Sequence, residues 1–152
     1  MPEPATFQDT SPRHLLPLLF AAQAQKEVVV NEALSLLDAI VQPSILGEQD
    51  DPPADPGEGD CWIVGANAGL AWTGHASALA SYSGGDWLFS IPVAGMRVWD
   101  QNTRQFIHFD GTWVRASAPT APNGGSTIDS ECRQAITALI GTLQEAGILP
   151  AA

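Results

Sequence analysis

The sequence is poor in positive charge. Lys26 is its only lysine, and six basic residues stand against seventeen acidic ones, so that the net charge is −11. A chain this acidic repels the phosphates of nucleic acids and the anionic surface of membranes. We therefore expect neither nucleic acid nor a membrane surface among its partners.

Long apolar segments are also missing. Residues 15–24 are apolar but few, and Pro17 interrupts them, so they do not match a membrane-spanning helix. The acidic start of the chain has no apolar segment of the secretory type. These features predict a protein that is made in the cytoplasm and does not insert into membranes.

The residues that usually carry catalysis or metals do not cluster. Cys61 and Cys132 are the only cysteines. Their separation matches neither a metal motif nor a disulfide framework, and we expect both to be buried free thiols. The histidines, at positions 14, 75 and 108, fall in separate segments and form no zinc pattern. No G-x-S-x-G motif of a serine hydrolase is present. The sequence predicts no enzyme, no metal and no cofactor.

A hydrolase of surface polysaccharide is the least favoured alternative. Glycosidases need two carboxylates on either side of the sugar. Asp86, Asp100 and Asp110 are available in the turns of a predicted sheet, but Asp is common in turns for local reasons.

Residues 47–60 are rich in acids. They hold six acids, three prolines and no base, which favours a solvated loop. Calcium binding is less favoured, because acids separated by prolines do not match the compact loops of calcium motifs.

The N-terminal part, residues 1–46, reads as an arm followed by a helix. Four prolines between residues 2 and 17 prevent a long early helix, and the apolar residues after them require a surface to dock on, either within the chain or on a partner. A helix is predicted over 27–42, with Asn31 as a possible cap and Pro43 as its stop. Its apolar face is formed by Val30, Ala33, Leu34, Leu37 and Val41.

Residues 61–115 are typical of a small antiparallel β domain. Short β-branched and aromatic runs alternate with turn signals. The runs are 62–64, 71–72, 79–82, 87–89, 96–99, 105–109 and 112–115. Asp110-Gly111 predicts a two-residue hairpin turn. A meander or small barrel is expected, and the fold class is α+β.

Residues 116–125 form a linker, and 126–152 a C-terminal helical segment. The helix is predicted over 126–147, with a capping box at 126–129 and Gly147 as its stop. Cys132, Ile136, Leu139, Leu143 and Ala146 follow the spacing of a coiled-coil seam. The pattern leaves two alternatives open, since the seam suits either packing within the chain or contact between copies.

All five tryptophans lie in the β domain. Most are expected to fill its core. Trp72 and Trp87 flank glycine-rich turns, and we expect them to be partly exposed. With Asp86 they form a candidate carbohydrate-binding site, in which an indole face stacks on a sugar.

The N-terminal and β segments resemble an uncharacterised domain family of tailed phages, prophages and gene transfer agents. The resemblance covers roughly residues 13–115. It is carried by residues 15–19 (LLPLL), 21–28 (AAQAQKEV), 31–34 (NEAL), 37–38 (LD), 56–60 (PGEGD), 62–64 (WIV), 72–75 (WTGH), 91–92 (IP), 95–99 (GMRVW) and 109–111 (FDG). Residues 133–143 and 146–149 are similar to a helical tail found at the ends of phage fibre proteins.

The resemblance implies a tail fibre or tail-tip protein, located in the virion tail and without catalytic residues. It implies a homotrimer joined by the last helix, and an N-terminal arm that docks onto other tail-tip proteins. The docking residues would be Leu15, Leu18, Leu19 and Phe20. The chain has no long shaft or receptor head, so it is either a short fibre that touches host surface polysaccharide or an adaptor for another protein.

Overall fold

A computed structural model of the chain describes residues 10–19, 26–125 and 129–151. Two helices and eight strands follow one another in these ranges. They are α1 (Lys26–Ile40), β1 (Ser44–Ile45), β2 (Glu48–Gln49), β3 (Cys61–Val64), β4 (Leu79–Ser83), β5 (Asp86–Ser90), β6 (Arg97–Asp100), β7 (Gln105–Phe109), β8 (Trp113–Val114) and α2 (Ser130–Glu145). The predicted α+β class is confirmed, and the described strands form two open sheets rather than a closed barrel.

Each sheet has four strands. The first has the order β1-β6-β7-β8 and the second the order β2-β3-β4-β5. The pairs β3–β4, β4–β5, β6–β7 and β7–β8 are antiparallel, whereas β1 joins β6 and β2 joins β3 in parallel. Residues 44–49 therefore belong to both sheets. Strands β1 and β2 were not predicted, because two residues are too few to show alternation.

The core lies on both faces of β3. Cys61 and Ile63 point into the cluster between the sheets, together with Ile45, Leu79, Val98 and Ile107. Trp62 and Val64 point to the opposite face, where they meet Trp72 and Ala80. A central strand that is buried on both faces is apolar throughout. Strand β3 therefore contributes side chains to both core clusters.

Two local predictions within the β domain are wrong. Residues 71–72 belong to a 3-10 turn (Leu70–Trp72) and not to a strand. The loop after β7 has three residues, since Phe109 pairs with Trp113. The two-residue turn lies instead at Gly84-Gly85, between the paired Ser83 and Asp86. Both glycines have a positive φ, as such a turn requires.

Helix α1 lies in its predicted place but faces the other way. Its buried residues are Asn31, Ser35, Asp38 and Ala39. Val30, Leu37 and Val41, which were predicted to face the core, are 40–44% exposed. Hydrogen bonds to polar side chains, described below, decide which face is inward, and periodicity does not report them.

The acidic segment 47–60 is a loop apart from the two-residue strand β2, and four of its six acids are exposed. The side chains of Asp50, Glu58 and Asp60 accept hydrogen bonds from backbone N–H groups. Glu58 accepts from Gly84 at 3.0 Å and Gly85 at 3.2 Å, so it closes the β4–β5 turn. Asp50 accepts from the N–H of Asn67 at 3.1 Å. The acids are thus distributed over separate turns.

Helix α2 begins later than predicted. Asp129 is its N-cap and accepts from the N–H of Cys132 at 2.8 Å. The predicted capping box falls mostly on residues 126–128, which lie outside the described residues. Gly147 has φ +67° directly after the helix and ends it, as expected.

Candidate functional site

Helix α2 carries its apolar seam on the surface. No residue of the helix is buried. Leu139 is 58% and Ile136 38% exposed, and Cys132 and Ala146 are exposed too. Leu143 is half-buried. In the described residues, therefore, the seam does not pack against the rest of its own chain.

The segment after α2 anchors the helix to the first sheet. The carbonyl of Gly147 accepts from the N–H of Phe106 at 2.6 Å, and the N–H of Ala151 donates to Thr103 at 2.9 Å. Leu149 is buried. A side chain at position 147 would overlap the ring of Trp99. The C-terminal end of the helix is anchored to the sheet, while four of its five seam residues remain exposed.

Helix α1 presents a second apolar surface, here called the α1 stripe. Its members share the face opposite the buried polar residues: Val29, Val30, Ala33, Leu36, Leu37 and Ile40. Leu36 is half-buried and the others are exposed, Val29 most of all at 70%. Val29, Ala33, Leu36 and Ile40 have coiled-coil spacing. No acid lies within the stripe.

The N-terminal arm fixes the orientation of α1. Asp38 accepts from the hydroxyl of Ser11 at 2.8 Å and from the N–H groups of Arg13 and His14 at 2.9 Å and 2.6 Å. The guanidinium of Arg13 donates to the carbonyls of residues 38, 39 and 42 at the end of the helix. Such donors satisfy carbonyls that a helix end leaves unpaired.

The residues predicted to dock onto the tail differ in their exposure. Leu18 is buried within the chain, so its prediction as an external contact is wrong. Leu15 is 67% and Leu19 36% exposed. Phe20 lies outside the described residues. Asn31 does not cap the helix; its amide accepts from the N–H of Leu19 and donates to the carbonyl of Leu19, at 2.8 Å and 2.9 Å.

The predicted tryptophan platform does not form. Trp72 is completely buried, and the expectation that it is partly exposed is wrong. Trp87 is half-buried, and the ring centres of Trp62, Trp72 and Tyr82 lie 5.0–5.7 Å from the centre of its ring. Asp86 is exposed but accepts from the N–H of Trp87. These indoles fill the second core cluster.

An aromatic groove lies elsewhere, on the outer face of the first sheet. Phe106 is 43% exposed, and Trp99 contacts it edge-on with ring centres 4.9 Å apart. The guanidinium carbon of Arg97 lies 5.2 Å from the centre of the Phe106 ring. The cavity has a volume of about 400 Å³ and is completed by Gln42, Pro43 and Ser44. Sequence reasoning missed it, because Trp99 and Phe106 lie on different strands and Pro43 lies far from both along the chain.

A larger cavity of about 540 Å³ lies where the two sheets meet. Its charged groups bind one another. Arg115 contacts Glu48 at 2.8 Å and Asp100 at 3.7 Å. Asp100 also accepts from the N–H groups of Asn102 and Thr103. Arg115 thereby links β2 of one sheet to β6 of the other. The charged groups that line this cavity therefore have a structural role, which is to hold the two sheets together.

The two cysteines differ. Cys61 is buried, and this burial raises the pKa of its thiol from 9.0 to about 12. Cys132 is exposed on the α2 seam, so the expectation that both are buried is wrong for Cys132. Only Cys132 is placed to react.

The described residues hold no group of three or more side chains that could bind a metal. His14 bonds to the carbonyl of Val41, His75 stacks on Phe89 with ring centres 3.6 Å apart, and His108 is exposed on β7. Within the described ranges, no helix is long and apolar enough to cross a membrane.

One family model matches residues 30–114, more than half of the chain. Its description is "Protein of unknown function (DUF2793)". The match runs from within α1 to the end of β8, so it covers both sheets and leaves α2 outside. No curated protein and no solved structure matches the chain.

Proposed function

The chain belongs to the DUF2793 family of proteins of unknown function, and from that premise we propose that it is a self-associating structural component of a phage-type tail fibre or tail tip, which attaches the particle to its host. Its place is the virion tail, and its partners are further copies of itself and other tail-tip proteins. No catalytic residue enters the proposal.

One observation carries this proposal: both helices turn an apolar face outward. The α2 seam and the α1 stripe are exposed in a single chain. Soluble monomers rarely expose contiguous apolar surface of this kind, and such surfaces mark contacts between proteins. Both surfaces are free of acids, which matters in a chain of net charge −11 because carboxylates would repel a second copy.

A trimer is the assembly that the resemblance to phage fibres favours. The α2 seam is too short to be stable as a lone coiled coil. The α1 stripe and the anchoring of α2 to the first sheet supply the additional support. An adaptor role is compatible with the same assembly, with Leu15 and Leu19 as exposed contacts for a neighbouring tail protein.

The first experiment measures the mass of the purified protein in solution. We expect a trimer for the parent and monomers for Leu139→Asp, because a carboxylate in the seam would be buried without a partner. Ala138→Asp is the matched control, since Ala138 is exposed on another side of the same helix. A monomeric parent at high concentration contradicts the proposal, and equal masses for the two variants remove α2 from the interface.

A second pair of variants tests the α1 stripe. Val29→Glu places a charge on the stripe, whereas Val93→Glu places the same charge on a valine of equal exposure outside both helices, at 69% against 70%. We expect Val29→Glu to lower the mass and Val93→Glu to leave it unchanged. Equal masses for the two variants would show that the α1 stripe is not part of the interface between copies.

Cys132 reports the orientation of the helices. In a parallel bundle its copies face one another at a seam position, within reach of a disulfide. Mild oxidation is expected to yield disulfide-linked dimers on a non-reducing gel, and none for Cys132→Ser. Cys61 does not interfere, because it is buried. Failure of the oligomer to cross-link points to an antiparallel arrangement, which a fibre with a threefold axis does not allow.

Carbohydrate binding is a second candidate function, and the aromatic groove favours it. Apolar walls with a few polar groups at the rim are the usual composition of small-ligand sites, and about 400 Å³ lies within their usual size. This candidate and the fibre proposal are compatible, because a fibre can both assemble and bind glycan.

A further inference from the structure

The five arginines fall into two groups. Arg13 and Arg133 donate to backbone carbonyls, and Arg115 is paired with carboxylates. Arg97 and Arg104 form no ion pair with any described residue, and both are exposed. Trp99 lines two cavities, of which the aromatic groove is also lined by Arg97 and the other by Arg104.

Two exposed arginines without ion pairs near one tryptophan are unusual in a chain of net charge −11, because acids are far more numerous than bases. Among the described residues, cations without an ion pair are few, and two of them line cavities that Trp99 also lines. Glu145 borders the cavity on the Arg104 side, so the cleaner positive site is the groove at Arg97, whose lining contains no acid. A negative ligand is drawn to that point against the field of the rest of the molecule.

The walls and polar groups of the groove also determine which kind of ligand fits it. Trp99, Phe106 and Pro43 form apolar walls, and Gln42, Ser44 and Arg97 supply hydrogen-bonding groups. An apolar wall suits the C–H face of a pyranose, an amide and a hydroxyl suit its hydroxyl groups, and a guanidinium binds a carboxylate through paired N–H donors.

We propose that the groove of Trp99, Phe106 and Arg97 binds acidic sugars, with Arg97 holding the sugar carboxylate. This inference names the ligand class of the attachment function proposed above and rests on that function only for its biological setting. An acidic glycan suits the groove better than a second copy of the chain does, because a sugar carboxylate pairs directly with Arg97. A second copy brings a net charge of −11, and its α2 seam and α1 stripe carry no acid that could pair with Arg97.

The experiment is calorimetric titration of the full chain with two hexasaccharides, one of hyaluronan, whose glucuronic acid carries the carboxylate, and one of cellulose, which is neutral. We expect the acidic sugar to bind with a Kd below about 1 mM and the neutral one at least about 10-fold more weakly. Arg97→Gln should weaken binding of the acidic sugar about 10-fold and leave the neutral sugar unaffected.

Lys26→Gln is the control, because it removes one exposed positive charge away from the groove. It should leave both affinities unchanged. Equal losses for Arg97→Gln and Lys26→Gln would show a general charge effect and overturn the site, as would equal binding of the two sugars or no heat from either. A fall in mass for Arg97→Gln without sugar binding would assign the groove to a second copy instead.

The outcomes separate this inference from the assembly proposal. A monomeric chain that binds the acidic sugar through Arg97 leaves the groove in place and removes the fibre assembly. A trimer that binds no acidic sugar supports the fibre assembly and rules out the acidic-sugar site in the groove.

Discussion

Single polar side chains determine how the N-terminal half is arranged. Asp38 is 2% exposed and accepts three hydrogen bonds from residues 11, 13 and 14. Asn31 is 1% exposed and pairs with both backbone groups of Leu19. Because buried donors without acceptors are costly, each of these two residues holds a stretch of the arm against α1.

Asp38→Ala should lower the free energy of unfolding by about 2–4 kcal/mol, since it leaves three donors without their acceptor. Urea denaturation measures the change. Asp55→Ala removes an exposed acid and should change stability by less than about 0.5 kcal/mol. Similar small effects for both variants would mean that water replaces the carboxylate freely and that the arm is not held by it.

Cys61 predicts a pH dependence. Its thiol has a pKa raised from 9.0 to about 12 by burial, so between these values the unfolded chain loses a proton that the folded chain keeps. The stabilising contribution is complete below pH 9 and is lost as the pH rises towards 12. Thermal unfolding between pH 8 and 11 should show a steeper decrease in Tm for the parent than for Cys61→Ala. Parallel curves would exclude the effect.

The exposure of individual aromatic side chains could not be predicted from the neighbouring residues in the sequence. Flanking glycines predicted exposure for both Trp72 and Trp87, yet Trp72 lies in a 3-10 turn that directs its ring into the second core cluster. Phe106 and Trp99 read as ordinary strand residues, and only their pairing across β6 and β7 reveals the groove. Which aromatic side chain remains exposed depends on contacts between segments that sequence spacing does not contain.

Helices and strands were predictable to the extent that they are periodic and long. The extents of α1, β4, β5, β6 and β7 differ from the predictions by two residues at most. The inward face of α1 was not predictable, because its partners are arm residues such as Ser11 and Arg13 that carry no helical pattern of their own. The sequence pattern placed the apolar residues of α2 on one face but not the surroundings of that face, and in the single chain no residue of α2 is buried.

The end of α2 offers a test at the scale of one element. Gly147→Ala should cost about 1–3 kcal/mol, because φ is positive there and the new methyl group overlaps Trp99. Gly141→Ala, within the helix and with open space around it, should instead stabilise the protein by about 0.5–1 kcal/mol. Chemical denaturation of both variants gives the comparison, and a neutral Gly147→Ala would mean that the C-terminal segment detaches without loss.

The net charge acts on the molecule as a whole. Copies that each carry −11 repel one another, whereas the proposed contacts are apolar. Raising salt from about 0.02 M to about 0.5 M shortens the screening length several-fold and should therefore favour the oligomer. Sedimentation at both salt concentrations tests this, with Leu139→Asp as the reference that stays monomeric. Weaker association at high salt would indicate ion pairs across the interface and argue against apolar stripes.

The short segment 44–49 has a consequence for the order in which the chain folds during synthesis. Its strand β1 pairs with β6, which begins only at Arg97, and its strand β2 pairs with β3 in the other sheet. While the ribosome is still making the middle of the chain, the first sheet cannot close and α1 has no β5 to lie against. The apolar stripe of α1 lies on the face opposite its buried residues, so it is exposed on the nascent chain and stays exposed in the finished fold. Contact between copies through α1, as proposed above, therefore does not wait for β6 and β7, whereas completion of the first sheet does.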